Sequence, residues 1–195
     1  PQTFDACGFL VRGTDEVWNL RRDAAGAVER LYSKAFVSGG GIWGPRGASK
    51  QDVLKAVLAT TRAFPDLTVH VTSCTCKGND VAGYHCATAA TLDGTNLGAS
   101  VYGPATGRFA RWTAMSEAVI HKSAAEGQWQ HIAEWGVQDE WALVQQLGLD
   151  LARVPRREDA EAPLHDCLPW ATLREAGPAR LNAADLARRQ EEAEA

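Results

Sequence analysis

Long apolar runs are missing from this chain: nothing in it approaches the ~20 consecutive apolar residues that a membrane-crossing helix needs. The N-terminal PQTFDACGFLVRG has no charged segment leading into an apolar core and a small-residue cleavage site, so no signal peptide is read there. A soluble chain with a default cytoplasmic location and no membrane partner is expected. Basic charge is also scarce. Lys and Arg number 20 against 24 acids, for a formal charge of -4, and they are scattered, which gives no electrostatic reason to bind nucleic acid. There is no P-loop, no G-x-G-x-x-G between a strand and a helix and no G-x-S-x-G elbow, so no nucleotide or flavin cofactor is expected. No internal repeat is present.

Cysteine is sparse and odd in number: Cys7, Cys74, Cys76, Cys86 and Cys167 do not form the dense, even framework of a small secreted domain. Cys74 and Cys76 would share one face of a strand, yet no C-x2-C or H-x3-H partner completes a zinc site. The expectation is reduced thiols buried as small apolar side chains, with no metal.

What is present suits one folded domain with an appendage. The 195 residues are 45% hydrophobic and 23% charged, a size and balance that bury one core. From Thr14 the segment TDEVWNLRRDAAGAVERLYSKAF has Val17, Leu20, Ala24, Ala27, Val28, Leu31 and Ala35 at helical spacing, and the glycines after Ser38 stop it. Ser49 with Asp52 opens a second helix, KQDVLKAVLATTRAF, ended by Pro65. The period then changes to alternation through LTVHVTSCTCK, VAGYHCATAATL, RFARWTAMSEAVIHK and QWQHIAEWGV, four strands separated by turn residues. Residues 139–149 read as a short closing helix. Residues 150–195 turn polar and are interrupted by proline, as a tail laid over this domain or a neighbouring subunit.

Helices followed by a meandering sheet is an α+β order, and several segments resemble the SnoaL-like polyketide cyclases of the nuclear transport factor 2-like superfamily. They are FPDLTV (64–69), the GND turn, GPATGR (103–108) and EWGVQDEWALVQQLG (134–148). The most specific is W-x3-D-x3-L-x2-QLG, carried by Trp135, Asp139, Leu143 and Gln146-Leu147-Gly148. The resemblance spans about residues 25 to 149. It implies a cone-shaped α+β barrel, with N-terminal helices against a strongly curved antiparallel sheet that encloses a pocket, in a dimer or trimer. It also implies acid/base chemistry without a cofactor on an aromatic or polycyclic small molecule.

Within that resemblance a carboxylate before a Trp late in the last strand acts as acid/base, and Glu134-Trp135 matches when counted from Gly127; counted back from Asp139 the position falls on Gly136. Strand alternation puts Glu134 on one face with Ile132 and Gly136, an apolar setting that would raise its pKa, and turns His131 away. His85 is the second acid/base candidate. Trp43 and Tyr32 are expected at the pocket mouth, where they would stack on a flat substrate. The polar Gln and His of the cyclases fall here at Ala118 and Ile120, which therefore count as substrate-binding positions without the ring-closing groups. Ser116, Glu117 and Asn96 are polar groups of open orientation, and Asp139 is read as a helix cap. Two readings stay open: a lyase or isomerase with Glu134 as the base, and a non-catalytic small-molecule binding module of the same fold.

Overall fold

A computed structural model describes residues 4–20, 23–41, 47–123 and 127–150. The chain runs α1 (Ala6–Thr14), a π-helical turn (Asp15–Asn19), α2 (Ala24–Leu31), β1 (Tyr32–Gly41), α3 (Lys50–Ala63), β2 (Thr68–Asn79), β3 (Gly83–Thr95), β4 (Phe109–Lys122), β5 (Trp129–Gln138) and α4 (Glu140–Gln146). The helices lie against one α+β sheet of order β1-β5-β4-β3-β2. Residues 151–195, where the tail was expected, lie outside the described residues.

The four expected strands form an antiparallel meander, but a fifth joins them. β1 pairs in parallel with β5, Tyr32 opposite His131 and Ser38 opposite Glu134, so the sheet is mixed and not purely antiparallel. The single helix read from Thr14 to Phe36 is divided. Asp23, which looks like one more polar position of that helix, instead caps α2 by accepting from the Gly26 amide at 2.9 Å. Tyr32 then takes an extended conformation that ends the helix. Upstream, Asp5 accepts from the Gly8 amide at 2.8 Å and starts α1, ahead of the first helix read from the sequence. Ser49 donates from its amide and hydroxyl to Asp52 Oδ2 at 3.0 and 2.8 Å, the interaction its spacing predicts at the start of α3.

The closing motif has a physical reason at nearly every position. Asp139 caps α4 by accepting from Ala142 N at 2.9 Å. Leu143 and Leu147 are buried with Trp112, Phe64 and Leu67. Gln146 accepts from Arg111 N at 2.9 Å and donates to Arg111 O at 2.8 Å, clamping α4 onto β4. Gly148 takes the left-handed conformation, φ 70°, that terminates the helix.

The same device holds the helical layer to the far edge of the sheet. Asn19, at the end of the π turn, donates to Val69 O and accepts from Val69 N, both at 2.9 Å, occupying β2 as a neighbouring strand would. Asn19→Ala leaves both backbone groups without that partner and is expected to cost about 1–3 kcal/mol, read as a lower urea midpoint with the m-value kept; an unchanged midpoint would show that the contact holds nothing.

The cysteines depart from expectation. Cys7 is bonded to Cys74 and Cys76 to Cys86, so these four are disulfides and not free thiols. Cys7–Cys74 ties α1 to β2, and Cys76–Cys86 links facing positions of β2 and β3.

Candidate active site

Glu134 sits on β5 at 5% exposure, an uncommon place for a carboxylate, since burial without partners strips it of water. The Tyr32 hydroxyl donates to its Oε2 at 3.1 Å. His131 Nδ1 lies 3.6 Å from the same oxygen, with both side chains buried. The Tyr32 ring stacks on the His131 imidazole, centroids 4.6 Å apart and planes at 11°, while Phe9 closes the other side at 5.5 Å.

His131 and Glu134 are three residues apart, and strict strand alternation puts them on opposite faces. The structure brings them together because β5 carries a bulge. Ile120 of β4 pairs with His131 and Val119 with Ala133, so Ile132 has no partner on β4 and the alternation slips by one. The expectation that His131 turns away is therefore corrected. Ile132, half-buried at the bulge, is also not part of the cavity wall, contrary to its expected role.

Burial sets the electrostatics. Loss of water pushes the His131 imidazole down to about 4, so it is neutral at physiological pH. Tyr32 is raised well above its usual value, first by burial and then by the adjacent Glu134 carboxylate and the hydrogen bond to it, so it stays a proton donor. His131 Nδ1 has no hydrogen-bond partner among the described residues.

These groups face a cavity of about 90 Å3 between the helices and the concave sheet face. Leu10, Val17, Trp18, Leu31 and Leu92 supply apolar wall, and the bonded hydroxyls of Thr88 and Ser116, 2.8 Å apart, supply a polar patch.

The other candidates divide. Ala118 and Ile120 are buried on the same face but pack with Ala6, Leu10, Tyr84 and Cys86, outside the cavity. His85 is corrected: it lies exposed on the outer face with Nδ1 4.0 Å from Glu117 Oε1, across the sheet from Glu134, because it sits at an odd position of β3 while the buried Tyr84 and Cys86 flank it. Asn96 is fully buried but structural, donating to Gly98 O at 2.8 Å and accepting from Thr106 N at 2.9 Å. Trp43 lies outside the described residues.

The low imidazole value has a consequence for acid stability. Between pH 6.5 and about 4 the unfolded chain binds a proton at His131 that the folded chain does not, so stability falls as the pH drops through this window, by about 3 kcal/mol in all. His131→Gln is expected to flatten that part of the stability profile in urea titrations at pH 4 to 7; an unaltered profile would mean the imidazole is not held neutral.

No protein-family model and no curated relative matches this chain. Solved structures do. One from Jannaschia sp. CCS1, provisionally assigned as a SnoaL-like polyketide cyclase, superposes with a TM-score of 0.59 at 18% identity over 72% of this chain and 90% of its own. AclR from Streptomyces galilaeus, provisionally assigned as a hydroxylase, gives 0.58 at 22% identity over 73% of this chain and 94% of its own. IdmH from Streptomyces antibioticus, provisionally assigned as a polyketide cyclase, gives 0.57 at 21% identity over 75% of this chain and all of its own, 100%. The chain has the α+β fold of the SnoaL-like polyketide cyclases.

Proposed function

We propose that this protein is a cofactor-independent acid/base enzyme of the lyase, isomerase or cyclase kind, removing a proton from an activated carbon or hydroxyl of an aromatic or polycyclic small molecule. The observation that carries the reading is the buried Glu134 carboxylate at a largely apolar cavity, hydrogen-bonded by Tyr32 and approached by a neutral imidazole. Burial disfavours the charged form of a carboxylate and so raises its drive to take a proton. Glu134 accepts the substrate proton and later returns it to a different atom or to the leaving group. Tyr32 fixes the carboxyl's orientation. The Thr88 and Ser116 hydroxyls offer donors to a substrate oxygen as negative charge develops there.

The cavity is small for this class of ligand, since typical clefts measure ~300–1,000 Å3. A single ring suits it as it stands, and a polycyclic substrate requires the helical layer to move outward. Ala118 and Ile120 offer no polar group, so the ring closure performed by cyclases with Gln and His at those positions is not part of the proposal. Trp43 remains a proposed stacking partner on the sequence alone. A second copy of the chain is proposed to dock on the outer sheet face, where the paired Met115 and Val137 stand 61% and 66% exposed. The binding-module reading would fit a pocket without a buried titratable group, and Glu134 is one.

The decisive experiment is turnover, or hydrogen–deuterium exchange at the carbon beside a carbonyl, across a panel of aromatic ketones and phenols. Glu134→Gln is expected to lower kcat by about 10²–10⁴-fold with the circular dichroism spectrum retained. Tyr32→Phe, which removes one hydrogen bond, is expected to cost about tenfold. A Glu134→Gln variant as active as the parent would remove the proposed base.

A further inference from the structure

Four cysteines converge outside the cavity. Cys7 comes from the first turn of α1, Cys74 and Cys76 from alternate positions of β2, and Cys86 from the facing position of β3. The two disulfides touch: Cys7 Sγ lies 3.4 Å and Cys74 Sγ 3.9 Å from Cys76 Sγ. Cross-linking alone does not account for this. Cys76 and Cys86 are ten residues apart in a hairpin whose hydrogen bonds already set them opposite each other, so a covalent link there adds little to chain topology. Two bonds serving only as staples have no reason to share one sulfur cluster.

We propose that the reduced cluster is a four-thiolate site for a divalent metal ion of the zinc class. In a ZnS4 tetrahedron with Zn–S of about 2.3 Å the sulfurs stand about 3.8 Å apart, and the two contacts between the disulfides bracket that edge. Cys7, Cys74 and Cys76 already lie within 4.8 Å of one another. The surroundings are largely apolar, with Cys86 buried and the other three sulfur-bearing residues half-buried: Phe4, Phe9, Tyr84, Ala118 and Ile120 pack around Cys74, Cys76 and Cys86. Cys7 is in the opening turn of α1, so its sulfur carries negative charge at the positive end of the helix dipole.

The interconversion balances. Each disulfide takes two electrons and two protons from a dithiol reductant, which leaves as its own disulfide. Four thiols result, and they release four protons on binding one ion. A reducing compartment, such as the cytoplasm expected from the sequence, favours the thiol state, and an oxidising one the two bonds. In either state α1 is held to the sheet through Cys7, and α1 supplies Leu10, Gly13 and Thr14 to the cavity wall.

The test uses the full chain, reduced with a phosphine and dialysed against zinc or cobalt. One ion per chain is expected in elemental analysis, with the visible absorption of tetrahedral cobalt thiolate, and Cys167→Ala should bind equally. The double variant Cys74→Ser/Cys76→Ser should lose both signals. If reduction unfolds the chain, added zinc should restore its circular dichroism. Absence of stoichiometric uptake by the reduced parent, failure of zinc to refold it, or uptake that persists in the double variant would each overturn the site.

Discussion

A carboxylate taken out of water has to be met by other groups, and in this fold the bulge at Ile132 decides which groups those are. Without the extra residue, β4 and β5 would stay in register to the end of the sheet, and His131 would face away from Glu134. With it, both turn inward beside Tyr32, which pairs with His131 across the β1–β5 boundary and lays its ring on the imidazole. The parallel β1 strand matters for the same reason: it places Tyr32 opposite His131, from where its hydroxyl reaches Glu134 Oε2. Bulge, parallel strand and buried acid are thus one arrangement.

Desolvation then assigns roles within it. It holds His131 uncharged and Tyr32 protonated, so neither competes with Glu134 as a charged group. A neutral imidazole 3.6 Å from the carboxylate is close enough to exchange a proton after a small shift, and such contacts often tighten only when substrate is bound. A charged imidazole would instead pair with Glu134 and blunt its basicity. The same burial that takes the carboxylate out of water keeps the adjacent imidazole from pairing with it as a cation.

Much of the fold is readable in the sequence because its strongest signals are local. The alternation in β2 through β5, the Ser49–Asp52 cap and the Trp135–Gly148 closing motif each depend on residues a few positions apart, and the caps at Ser49 and Asp139 find their partners within three residues. Glu134 is singled out by the resemblance at Glu134-Trp135 and by its apolar strand neighbours, and its side chain is buried. What stays hidden depends on distant partners. The bulge is defined only by pairing with β4, so His131 looks misdirected and Ile132 looks inward. β1 is masked because Tyr32 to Phe36 continue the apolar spacing of α2, and only pairing with β5 draws them into the sheet. Asp5 and Asp23 are legible caps in retrospect, each three residues ahead of a glycine amide they accept from.

The sulfur cluster follows the same logic. Cys74 and Cys76 look incomplete in the sequence because their partners sit on α1 and β3, 67 and 10 residues away. It also bears on the cavity from outside. α1 rests on the sheet through Cys7 and through the packing of Ala6 and Leu10 against Ile120 and Ala118, and Leu10 is shared between that cluster and the cavity wall. Any substrate larger than one ring must displace the helical layer, and α1 can yield only as far as the link at Cys7 allows. The residues that fix α1 therefore limit what Glu134 can reach, although none of the sulfurs touches the site.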